Sequence, residues 1–171
     1  MWDKNMVKQA AADKIVEAVQ FAGVLGVTAS DNGLKFSGSL LLNIRDAMFH
    51  FKAMCDFLEC DEEHAKRHYY SLLEHLMRGE KDAVISYGKI VVDAVFELMQ
   101  TEEFHELFGR EEIQLLRQYT HGIKNTFLDL RRSGMHIPEK KGKSVEEAWT
   151  DTTLYTKKIL EICRRKSVSL F

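Results

Sequence analysis

The chain has 171 residues, room for one domain whose core can hold it folded without a disulfide or a metal. It is 45% hydrophobic and 29% charged, an ordinary globular balance that excludes a low-complexity chain. The net charge of −2 conceals an asymmetry: residues 1–109 carry 11 Lys and Arg against 18 Asp and Glu (−7), and residues 110–171 carry 13 against 8 (+5). A nucleic acid would meet least repulsion on the C-terminal part, although two such halves also attract each other.

Pro138 is the only proline, and few breakers among many Ala, Leu, Glu and Lys favour long helices. Cys55, Cys60 and Cys163 are odd in number and show no Cys-x-x-Cys spacing, which points to a reducing compartment. The N-terminus is charged rather than signal-like, and no apolar run approaches the roughly 20 residues that cross a bilayer. A single cytoplasmic domain with no membrane contact is the expectation.

In chain order, residues 3 to about 24 read as a helix with Val7, Ala11, Ile15, Ala18, Val19 and Ala22 on its buried face. Residues 24–38 hold Asp31-Asn32-Gly33, strong turn chemistry, between Val27-Thr28 and Leu34 and Phe36, and are expected to form a short hairpin or an ordered loop. Ser39 is placed to cap a second helix over 40–59, where Leu41, Ile44, Met48, Phe51, Cys55 and Leu58 repeat at intervals of three and four like a bundle seam. Asp61 caps a third helical stretch that runs to about Gln100, with a kink or break expected near Gly79-Glu80. A short helix after Thr101 stops near Gly109. A further one spans about 110–133 with Ile113, Leu116, Thr120, Ile123, Phe127 and Leu130 inward. Residues 134–143 read as an exposed loop, and Ser144 with Glu147 forms a capping box for a last helix ending near Arg165. The fold class is all-α: a bundle of about five helices.

The sharpest chemical constellation lies on the second helix, Arg45-Asp46-x-x-x-His50. Asp46 and His50 are four apart and share a face, so the carboxylate can fix the imidazole tautomer and leave the other nitrogen free for proton transfer. Arg45 lies beside that pair, and a guanidinium suits phosphate oxygens. All three fall off the seam, toward solvent or a partner. The plainer alternative is an exposed helix face with an intrahelical Asp–His pair. On the third helix His64, His68 and His75 form a stripe, and the spacing of His64 and His68 can chelate zinc or nickel; a polar helix face opposite Tyr69, Leu72, Leu73 and Leu76 is the competing reading, and no metal is expected. Arg117, Lys124, Arg131 and Arg132, with Lys140, Lys141 and Lys143 in the following loop, are candidate nucleic-acid contacts, and Tyr119, Phe127 and Trp149 are either stacking surfaces or core. No P-loop, dinucleotide fingerprint, zinc helix or serine elbow is present, and no cofactor is expected.

The Arg45-Asp46-x-x-x-His50 pattern on a helix, with Ile44 and Ala47 around it and Leu73-Glu74-His75-Leu76-x-Arg78 after it, resembles the RNA-cleaving motif of the HEPN superfamily across about residues 40–130. The resemblance implies an all-α bundle that forms a homodimer, its two motif helices meeting in a cleft that cuts RNA without metal. It implies that Arg45 holds the scissile phosphate, His50 handles the 2′-hydroxyl or leaving-group proton, and Asp46 orients the histidine. RNA or a nucleotide is then the expected ligand. A non-catalytic helical module that docks a protein partner is the alternative.

Overall fold

The computed structural model describes residues 2–34, 38–132 and 142–171, with the side chain of residue 132 outside the description. Among the described residues every regular element is helical: α1 (Lys4–Asp31), α2 (Ser39–Phe57), α3 (Glu62–Met99), the four-residue α4 (Phe104–Leu107), α5 (Arg110–Arg132) and α6 (Val145–Arg165). The all-α bundle read from the sequence is what the chain forms. None of these helices is long and apolar enough to cross a membrane.

The chain divides into two compact units, one of residues 1–31 and 35–83, the other of residues 32–34 and 84–171. In the first, α1 and α2 pack together and the opening part of α3 joins them. Small residues make the α1 side of this core: Ala11, Ala18, Ala22 and Ala29 are buried around Leu25, while Val19 is exposed rather than inward. In the second unit α5 packs on α6 beside the later part of α3. Its core holds Val91, Val95, Phe104, Leu116, Ile123, Leu130 and Ile159.

Three expectations are corrected. The hairpin expected near residues 24–38 is not formed up to Leu34: α1 continues to Asp31, carrying Val27 and Thr28, whose hydroxyl donates to the Val24 carbonyl at 2.9 Å. Burying Leu25 and Ala29 offsets the roughly 1 kcal/mol that each of Gly23 and Gly26 costs inside a helix. The Asp31-Asn32-Gly33 turn chemistry is used instead to end α1, with Gly33 at φ +75°, and Phe36 lies outside the described residues. Ser39 does not cap α2. It is the first helical residue and Gly38 precedes it with no side-chain cap, whereas the Asp61 cap and the Ser144–Glu147 capping box form as expected.

The third correction concerns Gly79 and Gly88, which do not break α3. Their function is close approach. A Cβ on Gly79 would sit 2.6 Å from the Cβ of Asn43 on α2, and one on Gly88 would sit 2.6 Å from the Phe127 ring on α5. Asn43 Cβ is fixed to its backbone and cannot swing aside. Gly79→Ala is therefore expected to destabilise by about 1–3 kcal/mol, the range of overpacked sites, although Ala is the better helix former. Gly23→Ala, with nothing within 4 Å of the added carbon, is expected to stabilise by about 0.5–1 kcal/mol. Urea titrations of the two variants should move in opposite directions.

Candidate functional site

The packed face of α2 decides the site. The buried residues are Leu40, Ile44, Ala47, Met54 and Leu58, whereas Leu41 and Met48 are 53% and 56% exposed. The helix is thus rotated from the expected seam of Leu41, Ile44, Met48, Phe51, Cys55 and Leu58. Phe51 and Cys55 are only half-buried. The reason is visible in the run Leu40-Leu41-Leu42, which offers apolar residues to more than one phase; the rotation observed seats the small Ala47 at 0% exposure and brings Asn43 against Gly79.

This rotation carries His50 toward α3 rather than off the packed face. Its Nδ1 lies 2.9 Å from Nδ1 of His68, a hydrogen bond between the rings. His75, two turns further along α3, stacks on His50 with centroids 5.3 Å apart and planes at 24°. The Nδ1 of His75 is 3.4 Å from the Asn43 side-chain oxygen, and the Phe57 ring lies parallel to His68 at 5.8 Å. Three histidines from two helices thus form one half-buried cluster. On α3 they share the side of Leu72 and Leu76, which are buried, so His68 and His75 do not lie on the polar outer face set against Tyr69 and the leucines.

The Asp46–His50 pair expected from their spacing is not what forms. Asp46 accepts from its neighbour Arg45, from Nε at 3.0 Å and Nη2 at 2.7 Å. That bond holds the Asp46 carboxyl below the usual carboxylate range and keeps it ionised. Arg45 is 72% exposed and leaves the helix about 140° around from His50, so within one chain the two are not brought together. The tautomer-fixing partner of His50 is a second histidine that the i,i+4 rule could not reveal.

Burial, and then His68 and His75, pull His50 below the ordinary histidine range, against a smaller opposing pull from Asp46. The unfolded chain takes up a proton near pH 6.5, roughly the free histidine value, while the folded chain resists it. Stability should therefore fall as pH drops through about 6.5. Glu80, whose carboxyl is raised chiefly by burial, works in the opposite direction. The discriminating measurement is the change in urea midpoint between pH 7.5 and 5.5 for the parent and His50→Gln. The loss on acidification should shrink in the variant.

The weaker metal candidates go elsewhere. His64 Nδ1 bonds the Asp61 carboxylate at 2.7 Å and His68 bonds His50, so His64 and His68 serve different partners. Among the described residues no group of three or more His, Cys, Asp or Glu side chains is placed to hold a metal ion.

On α5, Arg117, Lys124 and Arg131 are seven apart and all exposed, one stripe down the helix with His121 between. Lys124 Nζ stands 4.1 Å from the centre of the Phe96 ring. Arg132 is the last residue of α5. Lys140 and Lys141 lie outside the described residues, and Lys143 is paired with Asp151. The aromatics expected as stacking surfaces or core prove to pack within the unit: Phe127 on Gly88, Trp149 edge-on to Tyr87 at 5.0 Å, and Tyr119 stacked on Tyr155 at 6.1 Å.

No family model matches the chain, and no curated protein or solved structure matches it either. The chemistry of its own side chains therefore carries the functional argument.

Proposed function

We propose that the protein is an RNA-directed, dimer-forming helical bundle that cleaves RNA by transesterification without a metal. The observation that carries this reading is the half-buried cluster of His50, His68 and His75, in which His50 shares α2 with the exposed, phosphate-suited guanidinium of Arg45. Cutting RNA at a 2′-hydroxyl needs a base for that hydroxyl, an acid for the departing oxygen and a cation for the phosphate, and imidazoles with an arginine meet all three needs. The HEPN-like sequence spacing of Arg45 and His50 supports this reading, with His68 taking the orienting part in place of Asp46. The exposed stripe of Arg117, Lys124 and Arg131 suits the RNA backbone.

Leu41, Leu42, Met48 and Phe49, each more than half exposed, give α2 an apolar outer face beside Arg45 that suits a second copy of the chain. The same face favours the second reading, a non-catalytic module that docks a protein partner. Incubating the native oligomer with single-stranded RNA in EDTA separates the two. Cleavage is expected; intact RNA with a purified, folded dimer would leave the docking module as the better reading.

A further inference from the structure

We propose that His50 and His68 act as one acid–base unit, in which the Nδ1–Nδ1 bond forces the neutral pair to present a proton-accepting Nε2 on one ring and a proton-donating Nε2–H on the other. A neutral imidazole carries one proton on one of its two nitrogens. Two Nδ1 atoms 2.9 Å apart make a hydrogen bond only if one of them holds a proton and the other does not. The donor ring then has a bare Nε2, and the acceptor ring must carry its proton at Nε2. Two separate histidines supply an acid and a base together only when one is protonated and the other neutral. The bonded pair supplies both in a single neutral state.

The surroundings favour that state. On α3 the rings facing His50 are His68 and His75, neither of them a fixed charge; on its own helix Asp46 pulls the other way but is tied to Arg45, and no charged group of α1 is among those acting on it. The ring of Phe57 lies against His68, and His64, one turn away, is held by Asp61. Burial and the neighbouring imidazoles disfavour an extra proton on His50.

Resting on the RNA reading, the step balances. The 2′-hydroxyl loses its proton to the bare Nε2 as its oxygen bonds to phosphorus. The Nδ1 proton crosses the bridge to the other ring. That ring's Nε2 proton goes to the 5′-oxygen as the P–O bond breaks. The pair gains and loses no proton overall and ends in its mirror-image tautomer, which exchange with water resets. An added proton would leave both Nε2 atoms protonated, with no base, so activity should rise with pH as that proton leaves and then stay level. Independent histidines would give a bell.

The test is the imidazole ¹⁵N–¹H spectrum of the full chain at pH 8, its rings assigned with His50→Gln and His68→Gln. One Nδ1–H ring and one Nε2–H ring are expected. Two Nε2–H rings, the form free histidine prefers, would overturn the proposal. So would a bell-shaped pH profile of RNA cleavage, where a rise to a plateau is expected, with His68→Gln lowering the rate about 10²-fold or more. Complementary tautomers in a protein that leaves RNA intact would uphold the pair and refute the RNA reading alone.

Discussion

His50→Ala should lower the rate of metal-free RNA cleavage by about 10²–10⁴-fold, the usual contribution of a positioned acid–base group. It removes the ring that bridges α2 to His68 and that His75 stacks upon, so the cluster loses its centre. Arg45→Ala should cost about 10²–10³-fold through loss of the charge opposite the developing phosphate dianion. The two variants differ in what else they should do. Arg45 is mostly exposed and, among the described residues, pairs with the adjacent Asp46, so its removal should leave the melting temperature within about a degree or two of the parent. Initial rates on single-stranded RNA, read beside a thermal melt of each protein, separate lost chemistry from lost fold. Asp46→Ala should be far milder than either, because the Asp46 carboxylate is hydrogen-bonded to Arg45 rather than to His50.

Met54→Ala should cost about 2–5 kcal/mol of unfolding free energy, while Met48→Ala should cost under about 0.5 kcal/mol. The substitution is the same and the helix is the same, so helix propensity cancels in the comparison. What differs is burial: Met54 is 0% exposed and Met48 is 56% exposed. Truncating the first leaves a cavity among packed side chains, and truncating the second removes an apolar group from water. Urea titrations that gave the reverse order would return α2 to the seam of Leu41, Met48 and Cys55 and turn His50 away from His68.

The helical class was legible because nearly every apolar position recurs at three or four, and caps such as Asp61 and Ser144 are local devices that one stretch of chain can announce. The rotation of α2 was not. Leu40, Leu41 and Leu42 satisfy a helical period in more than one phase, and the choice is made by how closely Asn43 and Ala47 let neighbouring helices approach. Gly79 read as a helix weakness because a single segment shows only its cost; its use, admitting Asn43, lies 36 positions away in sequence. The candidate site suffered in the same way. Arg45, Asp46 and His50 were each singled out, yet the partner of His50 is 18 residues distant, across a helix crossing, and the spacing rule named Asp46 in its place. His64, His68 and His75 were legible as a stripe, but not the fact that His68 and His75 meet His50 of α2.

The most direct test of the account is the chemistry of the cut ends. The native protein, given a single-stranded RNA in EDTA, should release fragments ending in a 2′,3′-cyclic phosphate and a 5′-hydroxyl, because attack comes from the 2′-oxygen and the histidine cluster moves the protons. A single 2′-deoxy substitution at a cleavage site should abolish the cut there. Fragments with 5′-phosphate and 3′-hydroxyl ends, or cleavage that appears only when a divalent metal is supplied, would contradict it.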